Sequence, residues 1–137
     1  MASLLNPYLS FTDDARAAME FYRDVFGGDL SLRTFGDFGG PESHHDLVMH
    51  AELTTPSGFT LMASDSAPGV ERTVGDNVAL SLSGDDAEEL RGYWDQLSAS
   101  GTTTLPLEKQ MWGDEFGMCV DRFGIHWYVD IAAGGDN

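Results

Sequence analysis

Two stretches of the chain repeat one order of apolar and polar positions. In the first, residues 9–11 alternate, an acidic pair follows, and an amphipathic segment ends at Gly27-Gly28. In the second, residues 80–82 alternate in the same way before a second acidic pair and an amphipathic segment that ends at Gly101. The offset is roughly 71 to 72 residues, about half the chain, so the pattern predicts two copies of one unit; a solenoid needs three or more copies.

The spacing of apolar residues predicts one amphipathic helix in each copy. The second helix has apolar residues at i, i+3, i+4 and i+7, and Asp85 or Asp86 is its predicted cap. The first has a wider apolar stripe, with Asp13 or Asp14 as the predicted cap, and the glycine pair ends it. The stripes are Leu90, Tyr93, Trp94 and Leu97 in the second helix, and Ala18, Met19, Phe21, Tyr22, Val25 and Phe26 in the first.

After each helix the pattern changes to a period of two, which predicts strands. Residues 47–53 and 59–64 alternate on either side of a Pro-Ser-Gly turn at 56–58, which predicts a hairpin. In the second copy, a strand near 117–120, a turn at 121–124 and a strand at 125–131 predict the same hairpin. In the first of these strands, Leu47, Met49, Ala51 and Leu53 alternate with Val48, His50 and Glu52.

Each copy thus predicts the order βαβββ, and the whole chain an α+β fold of two such modules with curved mixed sheets paired into a cup. Module 1 is expected at about residues 4–65, a linker at about 66–75 and module 2 at about 76–132. One helix covers only one face of its sheet, so the two units must pair. The residues expected on the helix side are Leu9, Phe11, Val78, Leu80, Leu82, Trp127 and Val129. The residues expected on the cup side are Tyr8, Ser10, Asn77, Ser81, His126 and Tyr128.

Composition narrows the class of partner. Seven Lys and Arg against 23 Asp and Glu give a formal net charge of −16, which repels nucleic acid and anionic membranes and favours cationic partners. The apolar runs are too short to span a membrane, and the first six residues lack the features of an export signal, so we expect a cytoplasmic protein. A single cysteine, Cys119, forbids an internal disulfide and is expected to be a buried apolar side chain.

Several short segments carry a family resemblance. Residues 6–11, 18–22, 25–28, 111–117 and 121–127 resemble the PhnB-like branch of the vicinal oxygen chelate superfamily, which includes glyoxalases, bleomycin resistance proteins and dioxygenases. Residues 49–53 and 62–65 also fit this pattern. The resemblance covers about residues 5–131 and departs at Arg122, where the family usually has proline. It implies paired βαβββ modules, commonly in a homodimer, with a cavity under each curved sheet.

The same resemblance implies where a divalent metal would be held. Metal-using members bind the ion through His or Glu side chains on the first, fourth, fifth and eighth strands. In this sequence none of the matching positions is His, Asp or Glu, so we expect neither a metal centre nor another cofactor. The matching positions are Asn6 or Tyr8, Met62 or Thr60, Asn77 and Tyr128.

Several side chains remain as candidates for binding a small molecule. His50 and Glu52 share a strand face, which suits a base with an orienting carboxylate or, equally, a cross-strand polar pair. His126 and Tyr128 share another face and suit either a ligand or structural hydrogen bonds. Aromatic residues suit a ligand wall or simple packing. The predicted set is Tyr8, Ser10, His50, Glu52, Met62, Asn77, Trp112, Phe116, His126 and Tyr128.

Two other segments suggest chemistry only weakly. His44-His45-Asp46 reads first as solvated polar residues, and a surface metal clip is the lesser alternative. The Gly-rich residues 35–40 lack the helix and Lys-Ser or Lys-Thr of a phosphate-binding loop, and no unit for a dinucleotide or methyl donor is present.

These observations favour a homodimeric, metal-independent protein that binds a small molecule, with or without catalysis. One alternative is a metalloenzyme (lyase, isomerase or dioxygenase) that uses His50, Glu52 or His126. Another is the sequestration of a cationic drug of the bleomycin type, which the negative charge favours. If aromatic side chains fill the cup, a structural or partner-binding role becomes the better account.

Overall fold

A computed structural model describes residues 3–67 and 69–133. Its contacts divide the chain into two compact units, unit 1 up to Val74 and unit 2 from Gly75. Unit 1 contains β1 (Tyr8–Phe11), α1 (Ala15–Phe26), β2 (Asp29–Thr34), β3 (Val48–Thr54) and β4 (Thr60–Asp65), with two short 3-10 helices between β2 and β3. Unit 2 contains β5 (Leu80–Gly84), α2 (Ala87–Ala99), β6 (Thr102–Lys109), β7 (Glu115–Val120) and β8 (His126–Ile131). The predicted α+β fold with a duplicated βαβββ order is confirmed.

Each unit has one mixed four-stranded sheet. The strand orders are β1-β4-β3-β2 and β5-β8-β7-β6, with the first and last strands of each unit parallel and the other neighbours antiparallel. The parallel pairing places Tyr8 opposite Met62 in unit 1 and Ser81 opposite Tyr128 in unit 2. Within residues 3–67 and 69–133, neither α-helix is long and apolar enough to cross a membrane.

The two helices bury the predicted stripes but begin in different ways. All four stripe residues of α2 are buried, and in α1 only Phe21 is half-exposed. The Asp86 carboxylate accepts a hydrogen bond from Glu89 N at 3.1 Å, which confirms one of the two predicted caps for α2. Asp14 stands at the start of α1, but its side chain makes no capping bond. The predicted local cap of α1 is therefore wrong, and a carboxylate from β4, Asp65, replaces it.

The predicted alternation is wrong at the start of β3 because the strand contains a bulge. Arg33 of β2 pairs with His50, whereas Thr34 pairs with Val48, so Met49 is an extra residue between the two pairs. Val48 is consequently buried and Met49 only half-buried, the reverse of the expectation. From His50 onward the alternation holds, with Ala51 fully buried.

The predicted alternation is also wrong before β5. Pairing with β8 begins at Leu80, opposite Trp127, and β8 itself begins one residue earlier. Asn77 and Val78 therefore lie outside the strand and have no partner strand there. Val78, expected in the core, is 74% exposed.

The two units turn their final hairpins with the same hydrogen bonds from different residues. In unit 1, Thr55 N donates to Phe59 O at 3.0 Å, and the Thr55 hydroxyl accepts from Phe59 N at 3.0 Å. In unit 2, Asp121 N donates to Ile125 O at 2.9 Å, and the Asp121 carboxylate accepts from Ile125 N at 3.1 Å. Both polar side chains are buried, so this arrangement satisfies groups that would otherwise be costly to bury.

Candidate functional site

In unit 1, the sheet face turned away from α1 carries polar side chains. On β1, Leu9 and Phe11 are buried while Tyr8 and Ser10 are exposed. On β3 and β4, Glu52 and Met62 are directly opposite each other and alternate with fully buried alanines. The structure thus brings five predicted ligand-binding residues onto one face: Tyr8, Ser10, His50, Glu52 and Met62.

Three of these residues form a chain of polar contacts. The Tyr8 hydroxyl lies 3.1 Å from His50 Nδ1, and the two rings are 5.7 Å apart at an angle of 35°. On the other side of the imidazole, Nε2 lies 3.9 Å from a carboxylate oxygen of Glu52. A carboxylate only accepts hydrogen bonds, so it favours the tautomer with the proton on Nε2, which leaves Nδ1 to accept from the phenol.

This chain is open to solvent. Tyr8 is 49% exposed, and the His50 and Glu52 side chains are 36% and 41% exposed. Sequence reasoning found that His50 and Glu52 share a face, because they are two positions apart in a strand. It did not find their link to Tyr8, which is 42 residues away and reaches them only through the pairing of β1 with β4.

A cation lies beside the same imidazole. Arg33 of β2 is directly opposite His50, so the two side chains project on the same side of the sheet. The Arg33 charge also helps to lower the pKa of Asp37, although the backbone hydrogen bond from Thr34 is the larger cause. The polar face of unit 1 therefore offers a cation, a carboxylate, an imidazole and a phenol within neighbouring strands.

In unit 2, aromatic side chains occupy the face of the sheet turned away from α2. The Phe116 and Tyr128 rings meet edge-on with centroids 5.5 Å apart, and Trp112 lies 6.2 Å from Phe116. Tyr128 and Trp112 are 39% and 60% exposed, so this aromatic row is not filled core within the unit. His126 is half-buried at the first position of β8, opposite Val120.

Two carboxyl groups adjoin this aromatic row. Asp130 is directly opposite Phe116, and burial, together with a hydrogen bond and the charge of Asp114, raises the pKa of Asp130. Asp114 in turn accepts a hydrogen bond from Ala133 N at 2.8 Å. Sequence reasoning missed this pair. Asp130 is two positions after Tyr128, so the sequence places both on one face of β8, but it does not show that Asp130 meets Asp114 in the turn before β7.

The remaining candidates do not join either group. Asn77 lies before β5 and is exposed, so its predicted position on a strand is wrong. His44 pairs with the neighbouring Ser43 hydroxyl, and His45 lies 3.7 Å from the Asp46 carboxylate in an exposed pair. Cys119 is buried, and burial raises the pKa of its thiol to about 11.

The side chains at the family's metal-ligand positions do not fit a divalent transition metal. Of the positions that the resemblance implies, Tyr8 lies opposite Met62 in unit 1, while Tyr128 lies on β8 and Asn77 lies before β5 in unit 2. Phenol, thioether and amide groups, including the alternative Asn6, and the hydroxyl of the alternative Thr60, lack the imidazole or carboxylate donors that secure such an ion. Over residues 3–67 and 69–133, no three His, Cys, Asp or Glu side chains lie close enough together to hold a metal.

Comparison with known proteins identifies the family of this chain. Residues 4–129 match the family described as the Glyoxalase/Bleomycin resistance protein/Dioxygenase superfamily. The chain belongs to this superfamily. Among its relatives, Protein YjdN of Escherichia coli K12 is 26% identical, over 93% of this chain and 94% of that protein. The uncharacterized protein Rv0887c of Mycobacterium tuberculosis is 33% identical, over 90% of this chain and 71% of that protein.

Solved structures of similar proteins agree with the fold. Protein PA1353 from Pseudomonas aeruginosa has a TM-score of 0.85 at 34% identity, covering 95% of this chain and 98% of that one. A PhnB protein from Bacillus cereus, described as a putative 3-demethylubiquinone-9 3-methyltransferase, has a TM-score of 0.78 at 25% identity, covering 95% and 100%. The resemblance to PhnB-like members of the superfamily is thereby confirmed.

Proposed function

We propose that this superfamily member binds a small organic molecule on the polar face of the unit 1 sheet, without the divalent ion that metal-using members employ. The observation that carries the proposal is the Tyr8–His50–Glu52 chain, which presents donors and acceptors to solvent from two strands. Met62, between Tyr8 and Glu52 in the register, supplies an apolar surface beside them. Such a mixture of apolar area and a few placed polar groups is typical of small-molecule sites.

The proposal extends to the other predicted residues and to the assembly. Ser10 on β1 lies on the same face, and the aromatic row of unit 2, with His126 on the strand of Tyr128, is the second proposed contact surface. Asn77, exposed before β5, is proposed as a separate contact. The functional protein is proposed to be a homodimer in which the modules at about 4–65 and 76–132 pair within or between chains. Uncharged or cationic molecules are the preferred ligand class because the net charge is −16.

The test combines a metal survey with ligand mapping. Protein purified without an affinity tag is analysed for Zn, Ni, Mn and Fe, and amide NMR spectra are recorded while a library of small organic molecules is screened. We expect substoichiometric metal and ligand-induced shifts at Tyr8, His50 and Met62. The proposal would be contradicted if the protein held one equivalent of metal and the small molecules bound only in its presence. It would also be contradicted if the ligand-induced shifts were confined to the helices.

The aromatic row favours a second candidate, the binding of a cationic glycopeptide of the bleomycin type. Trp112, Phe116 and Tyr128 form a partly exposed row with Asp130 beside it, and rings next to a carboxylate suit flat or cationic groups. Bleomycin binding that weakens steeply as salt is raised would support this candidate. The absence of binding at low ionic strength would rule it out.

A further inference from the structure

We propose that the Tyr8–His50–Glu52 chain is a proton-transfer site that removes a proton from a planar, uncharged weak acid lying against Met62. The inference deepens the proposed function and rests on it, because the substrate must first bind to this face. It assigns a reaction class to the face and separate roles to the three side chains.

The proton moves along the existing contacts. Tyr8 Oη takes the proton of the substrate while its own proton passes to His50 Nδ1, 3.1 Å away. The substrate becomes an anion and the imidazole becomes an imidazolium, so charge and protons balance. Glu52, 3.9 Å from Nε2, stabilises the imidazolium and fixes the tautomer from which the transfer starts. Glu52 is therefore a positioning residue, and the imidazolium returns its proton to water.

The surroundings of the chain define the substrate class. Met62 is opposite both Tyr8 and Glu52, so a thioether lies between the phenol and the carboxylate, and a flat ring can cover it. Arg33, opposite His50, provides a cation on the same side for the anion that forms. A substrate that is already anionic is disfavoured by the net charge of −16.

The test uses 5-nitrobenzisoxazole, a planar neutral molecule that reacts with bases alone. Removal of its ring C–H proton breaks the N–O bond and gives a coloured cyanonitrophenolate, so no other reactant is needed. The variants are Tyr8→Phe, His50→Gln and Glu52→Gln. His45→Gln and Glu42→Gln are matched controls, because both residues are exposed and lie in the loop before β3, outside the strands that carry the chain.

We expect saturable turnover by the wild-type protein and both controls at one common rate. Tyr8→Phe and His50→Gln should each lower kcat by about a hundredfold, the lower end of the range for general-base catalysis. Glu52→Gln should lower kcat with KM unchanged, since Glu52 acts on the imidazole and not on the substrate. Equal rates for all variants would overturn the inference. Should His50→Gln fail to fold by circular dichroism, His50→Asn takes its place.

A non-reacting analogue separates this inference from the proposed function. 5-Nitroindole has a similar planar shape and is uncharged at neutral pH, but it has no N–O bond to break, and its binding is followed by amide NMR shifts at Met62 and Tyr8. Binding of the analogue without turnover of the benzisoxazole overturns proton transfer and leaves the binding function intact. Neither binding nor turnover overturns the inference and counts against small-molecule binding on this face.

Discussion

The Oδ1 atom of Asp65 accepts a hydrogen bond from the backbone nitrogen of Ala15 at 2.9 Å, across 50 positions of the chain. Its Oδ2 atom accepts from Val48 N at 2.8 Å, and the side chain is buried. One carboxylate at the end of β4 therefore joins the first turn of α1 to the start of β3. Its negative charge also lies at the N-terminus of α1, where N–H groups that have no partner within the helix create a positive potential.

Replacing Asp65 should strongly destabilise unit 1. Asp65→Ala leaves two buried N–H groups without their acceptor, and we expect the free energy of unfolding to fall by about 3 kcal/mol in urea titrations. Asp65→Asn retains one acceptor oxygen and should cost less. Asp85→Asn, at an exposed position, is the control. A loss for Asp65→Ala no larger than that of the control would contradict this assignment.

Alanine at Gly28 and at Gly92 should have opposite effects. A Cβ at Gly28 would lie 2.1 Å from the Thr54 carbonyl oxygen, and the residue has φ +108°, so Gly28→Ala should cost more than about 2 kcal/mol. Gly92 lies within α2 with no atom within 4 Å of an added Cβ, so Gly92→Ala should stabilise by about 0.5 to 1 kcal/mol. Thermal unfolding of both variants measures this contrast, and effects of one sign would refute it.

The Cys119 thiol should resist alkylation in the folded protein. Burial, with a smaller effect of the Asp121 charge, raises its pKa from 9.0 to about 11. The reactive thiolate is then about a hundredfold rarer at pH 8 than in an ordinary cysteine, before any steric protection. Intact-mass analysis after iodoacetamide treatment should show modification in guanidinium but not in buffer. Equal labelling in both would show that the thiol is accessible.

Asp130→Asn should stabilise the protein at neutral pH. The pKa of Asp130 is raised above its ordinary value of 3.8 by burial and then by Asp114. Since the folded state holds this proton more tightly than the unfolded state, stability from this group is present in acid and is lost as the pH rises through the raised pKa. The substitution removes that loss and should add about 0.5 kcal/mol at pH 7, comparable with relief of one like-charge pair.

Thermal unfolding of Asp130→Asn and the wild-type protein from pH 3 to pH 7 provides the check. The difference between them should shrink towards pH 3, where the carboxyl is protonated in both states. Asp29→Asn, at an exposed position on β2, is the control. A difference that grows in acid would reverse the assignment.

Side-chain periodicity predicted most of the fold because it depends on local chemistry. The stripe through Leu90, Trp94 and Leu97 and the alternation around Trp127 each follow from burying one face of an element. Periodicity failed at Met49, because that bulge is set by how β2 pairs, and at Val78, because β8 begins too late to pair with it. Both errors arise from the way the neighbouring strand pairs, which the residue pattern of the segment itself does not specify.

The candidate site was predictable to the same extent. His50 and Glu52 are two positions apart, so their shared face is legible from the sequence. The contact of Tyr8 with His50, and that of Asp114 with Asp130, join segments far apart in the chain. The distance between such pairs depends on strand order and register, which one sequence does not specify.

The hairpin corners at Thr55 and Asp121 show that one bend can be held by two kinds of side chain. A hydroxyl and a carboxylate accept from equivalent amides, those of Phe59 and Ile125. The carboxylate also accepts a hydrogen bond from Trp127 Nε1 at 2.8 Å. A threonine at position 121 could therefore hold the turn but would leave the buried indole N–H without this acceptor.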